Sequence, residues 1–427
     1  MTSADGSHEL SMANHHYALV TGANSGLGFA ICCRLIDEAH PTYQSLTIIF
    51  TTRSSRKGAD TLARLQKYYN QNASKSKFDV HFQPELLELT RLESVKRLSE
   101  RLLQETPKLD SLFLNAGTGA FVGINWFRAI WSSLTEFMEC VTWPTYNKSF
   151  VGSVTDLQLS RRTEGGAKGA IEPPLGEVFC ANVLGHYMLG HLLIPLLNAP
   201  TDPGRIIWIS SLEALGDSFN PLDPQFLTSS EPYRASKRLT DLLALTAHLP
   251  SSRPWTDRYL TPPQSSVKDK RPPSDRPRIY LAHPGICSTE IMALNIFINF
   301  AKLIAFYVAR LLGSPWHTIN PYIAAVSPVW LALSPQSRLD DLETEFGPAK
   351  WGSATDWSGE ARVIQTQVDG WGYGGIVGGD DLGRKGRRKG AVVLSKQSRE
   401  EFLEIGRECW RQMETVRGEW ENHLDIR

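Results

Sequence analysis

The sequence predicts an α/β fold with a doubly wound parallel sheet of the Rossmann type, and three observations support this class. Short apolar runs alternate with segments of helical periodicity along most of the chain. A glycine-rich turn, TGANSGLG (21–28), joins the first apolar run to the first helical segment. Small-residue turns, NAG and HPG, close two later runs. Strands that alternate with helices form right-handed βαβ units and hence a parallel sheet.

The elements follow in a regular order. The predicted strands are 17–20, 46–50, 80–89, 109–117, 204–211 and 277–285. Helical periodicity follows the first three strands, and it returns near the carboxyl terminus in SREEFLEIGRECWRQMETVRGEWENHL (398–424). We therefore predict a disordered tail at 1–16, a Rossmann-type domain at 17–290, and a C-terminal helical extension at 291–427 packed on the same domain.

Two inserts interrupt this rhythm. Residues 120–175 combine several tryptophan and phenylalanine residues with a glycine-rich, basic end. We expect the aromatic part to line an apolar substrate pocket, with simple core packing as the alternative. Residues 250–278 hold seven prolines, which predicts a surface loop without a packed element.

Composition excludes several classes of function. The 427-residue chain has 45 basic and 45 acidic residues, so it lacks the basic surplus of a nucleic-acid-binding protein. None of the six cysteines forms a CxxC pair, which predicts neither a zinc site nor a disulfide framework, and no metal is expected. Residues 1–16 are polar and lack the apolar core of a secretory signal.

The glycine-rich turn predicts a dinucleotide site because it follows a strand and opens a helix. Gly22 permits a tight turn, Gly26 lets the backbone approach a pyrophosphate, and Gly28 allows close packing of helix on strand. The site also takes in the intervening residues Asn24, Ser25 and Leu27. The alternative is a glycine turn that binds nothing.

The end of the second strand favours NADP(H) over NAD(H). A carboxylate at this place would hydrogen-bond a ribose hydroxyl and repel a phosphate, but the segment reads TTRSSRK. Arg53, with Ser54 and Lys57, could hold the 2′-phosphate. The alternative is a solvated basic turn.

The stretch EPYRASKRL (231–239) sets Tyr233 four residues before Lys237. Residues at this spacing share a helix face, and a nearby ammonium lowers the pKa of a phenol. That would suit a group that donates a proton to a carbonyl oxygen. Taken alone, the pair is as readily a surface pair.

Other polar residues end strands or flank them and support the catalytic interpretation. A serine pair ends the fifth strand, and Asn182 lies on the preceding helix. The residues assigned to the site on this basis are Asn115, Ala116, Gly117, Asn182, Ser211, Pro284, Gly285 and Thr289.

In this order, TGANSGLG, NAG, Asn182, IIWISS, YRASK and HPG resemble the short-chain dehydrogenase/reductase family over residues 17–290. The resemblance implies a catalytic tetrad of Asn182, Ser211, Tyr233 and Lys237, with Ser211 preferred to its neighbour because the family serine is usually the second of such a pair. Glu88 stands where the family usually has an aspartate that contacts adenine, and we assign Glu88 to the cofactor site.

Further segments are similar to the fungal 3-keto-steroid reductases, among them YVARLLGSPWH (307–317) and WGSAT (351–355). This similarity implies NADPH-dependent reduction of a 3-keto sterol to the 3β-alcohol during removal of the C-4 methyl groups in ergosterol synthesis. It also implies partner enzymes of that pathway and a location at the endoplasmic reticulum or lipid droplets. A specialised steroid or triterpenoid pathway, or a non-catalytic scaffold for sterol enzymes, remains an alternative.

The apolar stretch 291–312 predicts contact with a membrane surface. Lys302 and Arg310 interrupt it, which disfavours a spanning helix. We expect an interfacial helix with these two residues toward the lipid headgroups. The alternative is a core helix.

Overall fold

The computed structural model describes residues 14–40, 43–72, 78–158, 172–263, 272, 275–288, 296–379 and 383–426. The expectation for residues 1–13 lies outside this part of the chain. Within it, the first strand already begins at His15, so the predicted tail ends two residues too late. Strand pairing explains this boundary, because His15 and His16 continue the register with the neighbouring strand.

The described residues contain ten strands, which form one large and one small sheet. The strands are β1 (His15–Val20), β2 (Ser45–Thr52), β3 (Asp79–Leu86), β4 (Ser111–Leu114), β5 (Phe121–Ile124), β6 (Asn147–Ser149), β7 (Arg205–Ile209), β8 (Arg278–His283), β9 (Lys350–Thr355) and β10 (Ala361–Thr366). The large sheet has the order β10-β9-β8-β7-β4-β1-β2-β3, and only β10 runs antiparallel. The predicted doubly wound parallel sheet is therefore confirmed.

Helices cover both faces of the large sheet. In the first half they are α1 (Gly26–Glu38), α2 (Ser55–Asn72), α3 (Leu92–Glu105), α4 (Trp126–Thr135), α5 (Phe137–Thr142) and α6 (Glu177–Phe179), followed by a π-helical turn at Cys180–Leu184, α7 (Gly185–Leu192) and α8 (Ile194–Leu197). In the second half they are α9 (Pro232–Thr246), α10 (Arg253–Tyr259), α11 (Ile296–Leu311), α12 (Pro321–Ala324), α13 (Val326–Leu333), α14 (Gln336–Phe346) and α15 (Lys396–His423). Among the described residues there are three clusters of buried apolar side chains, and the two large ones lie on opposite faces of the sheet.

The proline-rich stretch is not the unpacked loop that its composition predicts. Within 250–278, α10 is a helix with a proline in its first turn, where the missing N–H is unpaired in any helix. Tyr259 is 1% exposed, and its ring centroid lies 4.4 Å from that of Tyr187 and 5.6 Å from that of Trp410. Residues 264–271 and 273–274 lie outside the described part of the chain.

The C-terminal extension completes the sheet as well as covering it. It contributes β9 and β10, which the strand assignment missed, and β9 pairs in parallel with β8. Helix α15 then packs against α9 and α10. Its buried Trp410 donates an indole hydrogen bond to the carbonyl of Leu243 at 3.1 Å. The extension therefore shares the core of the preceding domain.

Candidate active site

The carboxyl ends of β1, β4, β7 and β8 meet at one edge of the sheet, and the chain order reverses between β1 and β4. Ligands of α/β proteins bind at such a point. Thr21 joins the two strand ends there, because its hydroxyl accepts hydrogen bonds from the N–H groups of Asn115 (2.8 Å) and Ala116 (3.0 Å). The Asn115 side chain donates in return to the Thr21 carbonyl at 2.9 Å. The turns after β1 and β4 are thus fixed to each other.

Close backbone approaches shape the glycine loop. Gly22 has φ of +68°, and a Cβ there would lie 2.8 Å from the Cβ of Ala116. A Cβ on Gly28 would collide with the Gly22 carbonyl and lie 2.7 Å from the side-chain nitrogen of Asn115. Gly26, with φ of +56°, begins α1. Larger residues at Gly22 or Gly28 would push the two turns apart.

The amino end of α1 fits the pyrophosphate of a dinucleotide. Its first N–H groups lack partners within the helix, and the Ser25 side chain does not cap them. Asn24 donates to the Ser25 hydroxyl at 3.3 Å, while its carbonyl accepts from Arg64 at 2.8 Å. Leu27 is buried beneath the loop. Unpaired N–H groups and the helix dipole together favour a bound anion.

Arg53 lies beside this loop, at the place expected of a phosphate-binding residue. It directly follows β2 and is exposed. The backbone of Ala23 donates to the carbonyl of Thr51 at 3.0 Å, which brings the loop and the end of β2 together. Ser54 follows Arg53, and its hydroxyl accepts the backbone N–H of Lys57 at 3.4 Å.

Glu88 is engaged in a turn after β3. Its carboxylate accepts hydrogen bonds from the backbone N–H (3.3 Å) and the hydroxyl (3.0 Å) of Thr90. A contact between Glu88 and adenine remains a prediction.

Tyr233 and Ser211 lie together at the end of β7. The Ser211 hydroxyl is close enough to the phenol of Tyr233 to lower its pKa, and it accepts the N–H of Glu213 at 3.1 Å. Ser210 points the other way, since its hydroxyl donates to the buried carboxylate of Asp241. Of the two adjacent serines, it is therefore Ser211 that the fold brings to the phenol.

The pKa of Tyr233 is shifted upward, opposite to the expected effect of Lys237. Burial raises it most, and the carboxylate of Glu213 adds to this, while the hydrogen bond from Ser211 opposes both. The Lys237 ammonium lies 5.7 Å from the ring centroid and donates to the carbonyl of Ile209 at 2.7 Å. The prediction that Lys237 lowers the phenol pKa is wrong for this structure, because the ammonium faces the strand end.

Asn182 lies in the π-helical turn, 2% exposed, and connects three segments. Its side chain accepts the Thr118 N–H at 2.8 Å and donates to the Thr118 carbonyl and the Ser236 hydroxyl, both at 2.9 Å. A Cβ on Gly117 would lie 2.8 Å from the Asn182 oxygen. The side chain thus fixes the turn after β4 against α9. A water held between Asn182 and Lys237 remains a prediction.

The turn after β8 is tightly packed. Gly285 has φ of +68°, and a Cβ there would lie 2.5 Å from the carbonyl of Trp316. The carbonyl of Pro284 accepts the Thr318 hydroxyl at 3.0 Å. Thr289 lies outside the described residues.

The aromatic insert reaches the site at two points. Strand β5 brings the ring of Phe121 to 5.6 Å from that of Tyr233. Arg234, beside Tyr233, donates to the carbonyl of Pro144 and to Glu213 (3.2 Å). These contacts attach the insert to the amino end of α9.

Helix α4 of the insert does not meet the expectation of a pocket wall or of core packing. None of its residues is buried. Its large apolar side chains lie in solvent, with exposed fractions of 52% for Trp126, 82% for Phe127, 59% for Ile130, 62% for Trp131 and 80% for Leu134. Their i, i+4 spacing makes one apolar stripe along the helix.

Helix α11 also exposes apolar residues, but its basic side faces inward. Arg310 is 8% exposed, and it donates to the carbonyls of His317 (2.9 Å) and Thr318 (2.7 Å). Lys302 is half-buried. The prediction that both cations face lipid headgroups is therefore wrong for Arg310, because carbonyls in the following turn bind it.

Sequence reasoning missed three residues that hold the site together: Thr21, Thr118 and Ser236. Ser236 donates to the Tyr233 carbonyl at 2.6 Å while accepting from Asn182. Thr21 could have been found, since it precedes the first loop glycine, where its hydroxyl can reach the next strand end. The partners of the other two depend on tertiary contacts.

Comparisons with known proteins show the family to which the chain belongs. Residues 16–137 match the model of the short chain dehydrogenase family. The chain is 46% identical to the 3-keto-steroid reductase of Aspergillus fumigatus, covering 96% of this chain and 95% of that protein. It is 36% identical to the one from Gibberella zeae and 30% identical to the one from Saccharomyces cerevisiae, covering 95% and 90% of those proteins. The chain belongs to the short-chain dehydrogenase/reductase family of oxidoreductases, which implies a nicotinamide cofactor.

Proposed function

We propose that this oxidoreductase reduces the 3-ketone of a sterol to the 3β-alcohol with NADPH. The observation that carries the proposal is the closeness of the Tyr233 and Ser211 side chains beyond the end of β7, with Lys237 on the same face of α9 as Tyr233. A ketone oxygen bound beside both hydroxyls would receive two hydrogen bonds. The near full-length similarity to 3-keto-steroid reductases supports a steroid as the ketone.

In this reaction the bound nicotinamide supplies a hydride to the carbonyl carbon. Tyr233 donates its phenolic proton to the carbonyl oxygen as negative charge develops there, and Ser211 stabilises the same oxygen by a hydrogen bond. The raised pKa of Tyr233 keeps the phenol protonated until an alkoxide, a far stronger base, forms beside it. Asn182 holds the turn after β4 in a fixed position relative to α9 during these steps.

The preference for NADPH rests on Arg53. A guanidinium can form charge-assisted, bidentate hydrogen bonds to a 2′-phosphate, and the end of β2 offers no carboxylate to a ribose hydroxyl. The exposure of Arg53 beside the glycine loop supports this role.

The proposed function includes contact with a membrane surface through the apolar stripes of α4 and α11. On α11 the exposed fractions are 64% for Phe300, 49% for Ile304, 50% for Tyr307, 39% for Val308 and 68% for Leu311. Helix α5 packs against both α4 and α11, so the two stripes lie on neighbouring elements. Across the described residues, no helix has the length and apolar character to cross a bilayer. Such stripes fit an interfacial attachment.

A sterol substrate is dissolved in lipid, so an enzyme attached in this way meets it directly. We place the protein at the cytosolic face of the endoplasmic reticulum or at lipid droplets, beside the other enzymes that remove sterol C-4 methyl groups. This location and these partners follow from the proposed substrate.

A substrate screen tests the function. Purified protein is incubated with NADPH and 3-keto sterols that carry or lack C-4 methyl groups, and NADPH oxidation and product stereochemistry are measured. We expect turnover to the 3β-alcohol. Reduction of other ketones together with no turnover of any 3-keto steroid would refute the substrate assignment.

A further inference from the structure

A buried ion pair lies directly beneath the two serines that end β7. Lys350, the first residue of β9, donates to the carboxylate of Asp241 at 2.7 Å and to the backbone carbonyl of Ser211 at 2.6 Å. The other oxygen of Asp241 accepts the hydroxyl of Ser210. The pair therefore binds two successive residues of the strand end, one through each partner.

The same pair adjoins the proposed active-site face of α9. Tyr233, Lys237 and Asp241 follow one another at intervals of four residues, so they lie in a row along one side of the helix. Lys237 binds the carbonyl of Ile209, the residue before the serine pair. Three consecutive residues of the strand end are thus each held by one charged side chain.

Burial makes this arrangement costly. Asp241 is 0% exposed and Lys350 is 3% exposed, so both charges are removed from water. The loss of hydration commonly cancels the attraction within such a pair, and apolar residues of similar volume often serve stability equally well. Stability alone therefore does not account for the two contacts that the pair makes with the strand end.

We propose that Asp241 and Lys350 are positioning residues for the reductase reaction. The pair fixes Ser211 relative to Tyr233, and its two charges set the protonation state of Lys237. Neither side chain needs to touch the substrate. The proposal rests on the proposed function in that Ser211, Tyr233 and Lys237 are taken as the working groups.

The charges around Lys237 come from several elements. Burial lowers the pKa of Lys237 to about 8, while Asp241 acts to raise it and Lys350 to lower it. His186 on α7 faces the same ammonium, but burial lowers its pKa to about 3 and leaves it neutral. The remaining ionisable groups around the pair are Arg238 on α9, His283 at the end of β8 and Asp369 after β10.

Two variants should move the pH dependence in opposite directions. Lys350→Met removes a positive charge beside Lys237 and keeps the Asp241 carboxylate, so the pKa of Lys237 rises. Asp241→Asn leaves a second ammonium beside Lys237, so its pKa falls. We expect the alkaline limb of kcat against pH to move up by about one unit in the first variant and down by about one unit in the second. Misplacement of Ser211 should also lower kcat roughly tenfold in both.

A buried ion pair elsewhere provides the matched control. Arg417 and Glu414 on α15 are also buried, and they lie away from the strand end. Arg417→Met should lower the melting temperature and leave the alkaline limb in place. The proposal would be overturned if the alkaline limb moved by the same amount in all three variants, Arg417→Met, Lys350→Met and Asp241→Asn. It would also be overturned if the limb moved in none of them.

A double variant covers the case in which a single change prevents folding. Asp241→Asn with Lys350→Met removes both charges of the ion pair together, and it still removes the contact to the carbonyl of Ser211. We expect a folded protein with kcat at least roughly tenfold below wild type. Wild-type kcat in this folded variant would also overturn the proposal.

Cofactor affinity separates failure of this proposal from failure of the proposed function. The dissociation constant for NADPH is measured against pH by nicotinamide fluorescence, without any ketone. We take the ammonium of Lys237 to hold the ribose of the nicotinamide, so we expect this dissociation constant to rise above the pKa of Lys237. The pH of that rise should move up in Lys350→Met and down in Asp241→Asn. If the wild type binds NADPH but reduces no steroid, the substrate assignment fails while this measurement still decides the role of the pair.

Discussion

The edge of the sheet where the strands end buries polar side chains, whereas the surface of α4 and α11 exposes apolar ones. Both arrangements are the reverse of the usual pattern. At the sheet edge, polar and charged side chains are buried, with exposed fractions of 2% for Asn182, 0% for Asp241 and 3% for Lys350. On α4, by contrast, Phe127 is 82% exposed and Leu134 is 80% exposed. Each region departs from the arrangement that stability alone favours.

The difference lies in how each departure is compensated. The buried polar groups are satisfied by specific partners at 2.6–2.9 Å, such as Ser211 for Lys350 and Thr118 for Asn182. The exposed apolar groups lie on two helices connected through α5, so they form an extended area instead of isolated residues. The first region has the character of a preorganised reaction site, and the second has that of a surface with an apolar partner.

The largest expected effect comes from removing the proposed proton donor. Tyr233→Phe keeps the ring beside Phe121 but deletes the hydroxyl near Ser211. We expect kcat to fall at least about a hundredfold, with the dissociation constant for NADPH nearly unchanged. Steady-state kinetics and a binding titration check this. More than a tenth of wild-type turnover would show that another group is the acid.

A smaller effect is expected at the cofactor end of the same edge. Arg53→Ala should raise the KM for NADPH about ten- to a hundredfold, because a hydrogen bond between two charged groups is lost. The KM for NADH should change little. Lys57→Ala, in the same basic turn, provides the comparison. Equal changes for both cofactors would exclude a phosphate contact by Arg53.

The pH dependence tests the buried lysine. The pKa of Lys237 is lowered to about 8 by burial, so its charge is complete well below this pH and is lost above it. If turnover requires the charged form of Lys237, kcat should fall about tenfold per pH unit on the alkaline side. The arginine in Lys237→Arg stays charged at high pH, so kcat of this variant should no longer fall on the alkaline side. Its kcat should nevertheless be lower than that of the wild type. A limb that persists unchanged in Lys237→Arg would belong to another group.

The exposed stripes should matter for membrane contact and little for folding. Replacing Phe127 and Leu134 on α4, or Phe300 and Ile304 on α11, with serine should abolish flotation with phospholipid vesicles. Each side chain is largely exposed, so the free energy of unfolding should change by no more than about 0.5 kcal/mol per site. Leu222→Ser is the control, since Leu222 is 92% exposed outside both stripes. Equal flotation of all folded variants would exclude these helices as the attachment.

Local patterns determined the sheet and the order of the site residues. The six assigned strands all occur, because alternation of apolar runs and helical segments is a property of the chain itself. The glycine spacing likewise marked the turn in which Gly22 and Gly28 pack against neighbouring backbone. The proline-rich stretch misled the assignment, because prolines in a first helical turn are compatible with α10 and its buried Tyr259.

Only the tertiary structure decided which charges and apolar groups are buried. Helical periodicity put Arg310 on the polar side of α11, but the carbonyls of His317 and Thr318 drew it inward. Tyr233 and Lys237 share a helix face as their spacing predicts, yet burial, not the ammonium, governs the pKa of the phenol. Lys350, 113 residues after Lys237 in the sequence, reaches the same strand end because β9 joins the sheet beside β8. Such long-range contacts depend on the packing of whole elements, and no local pattern encodes them.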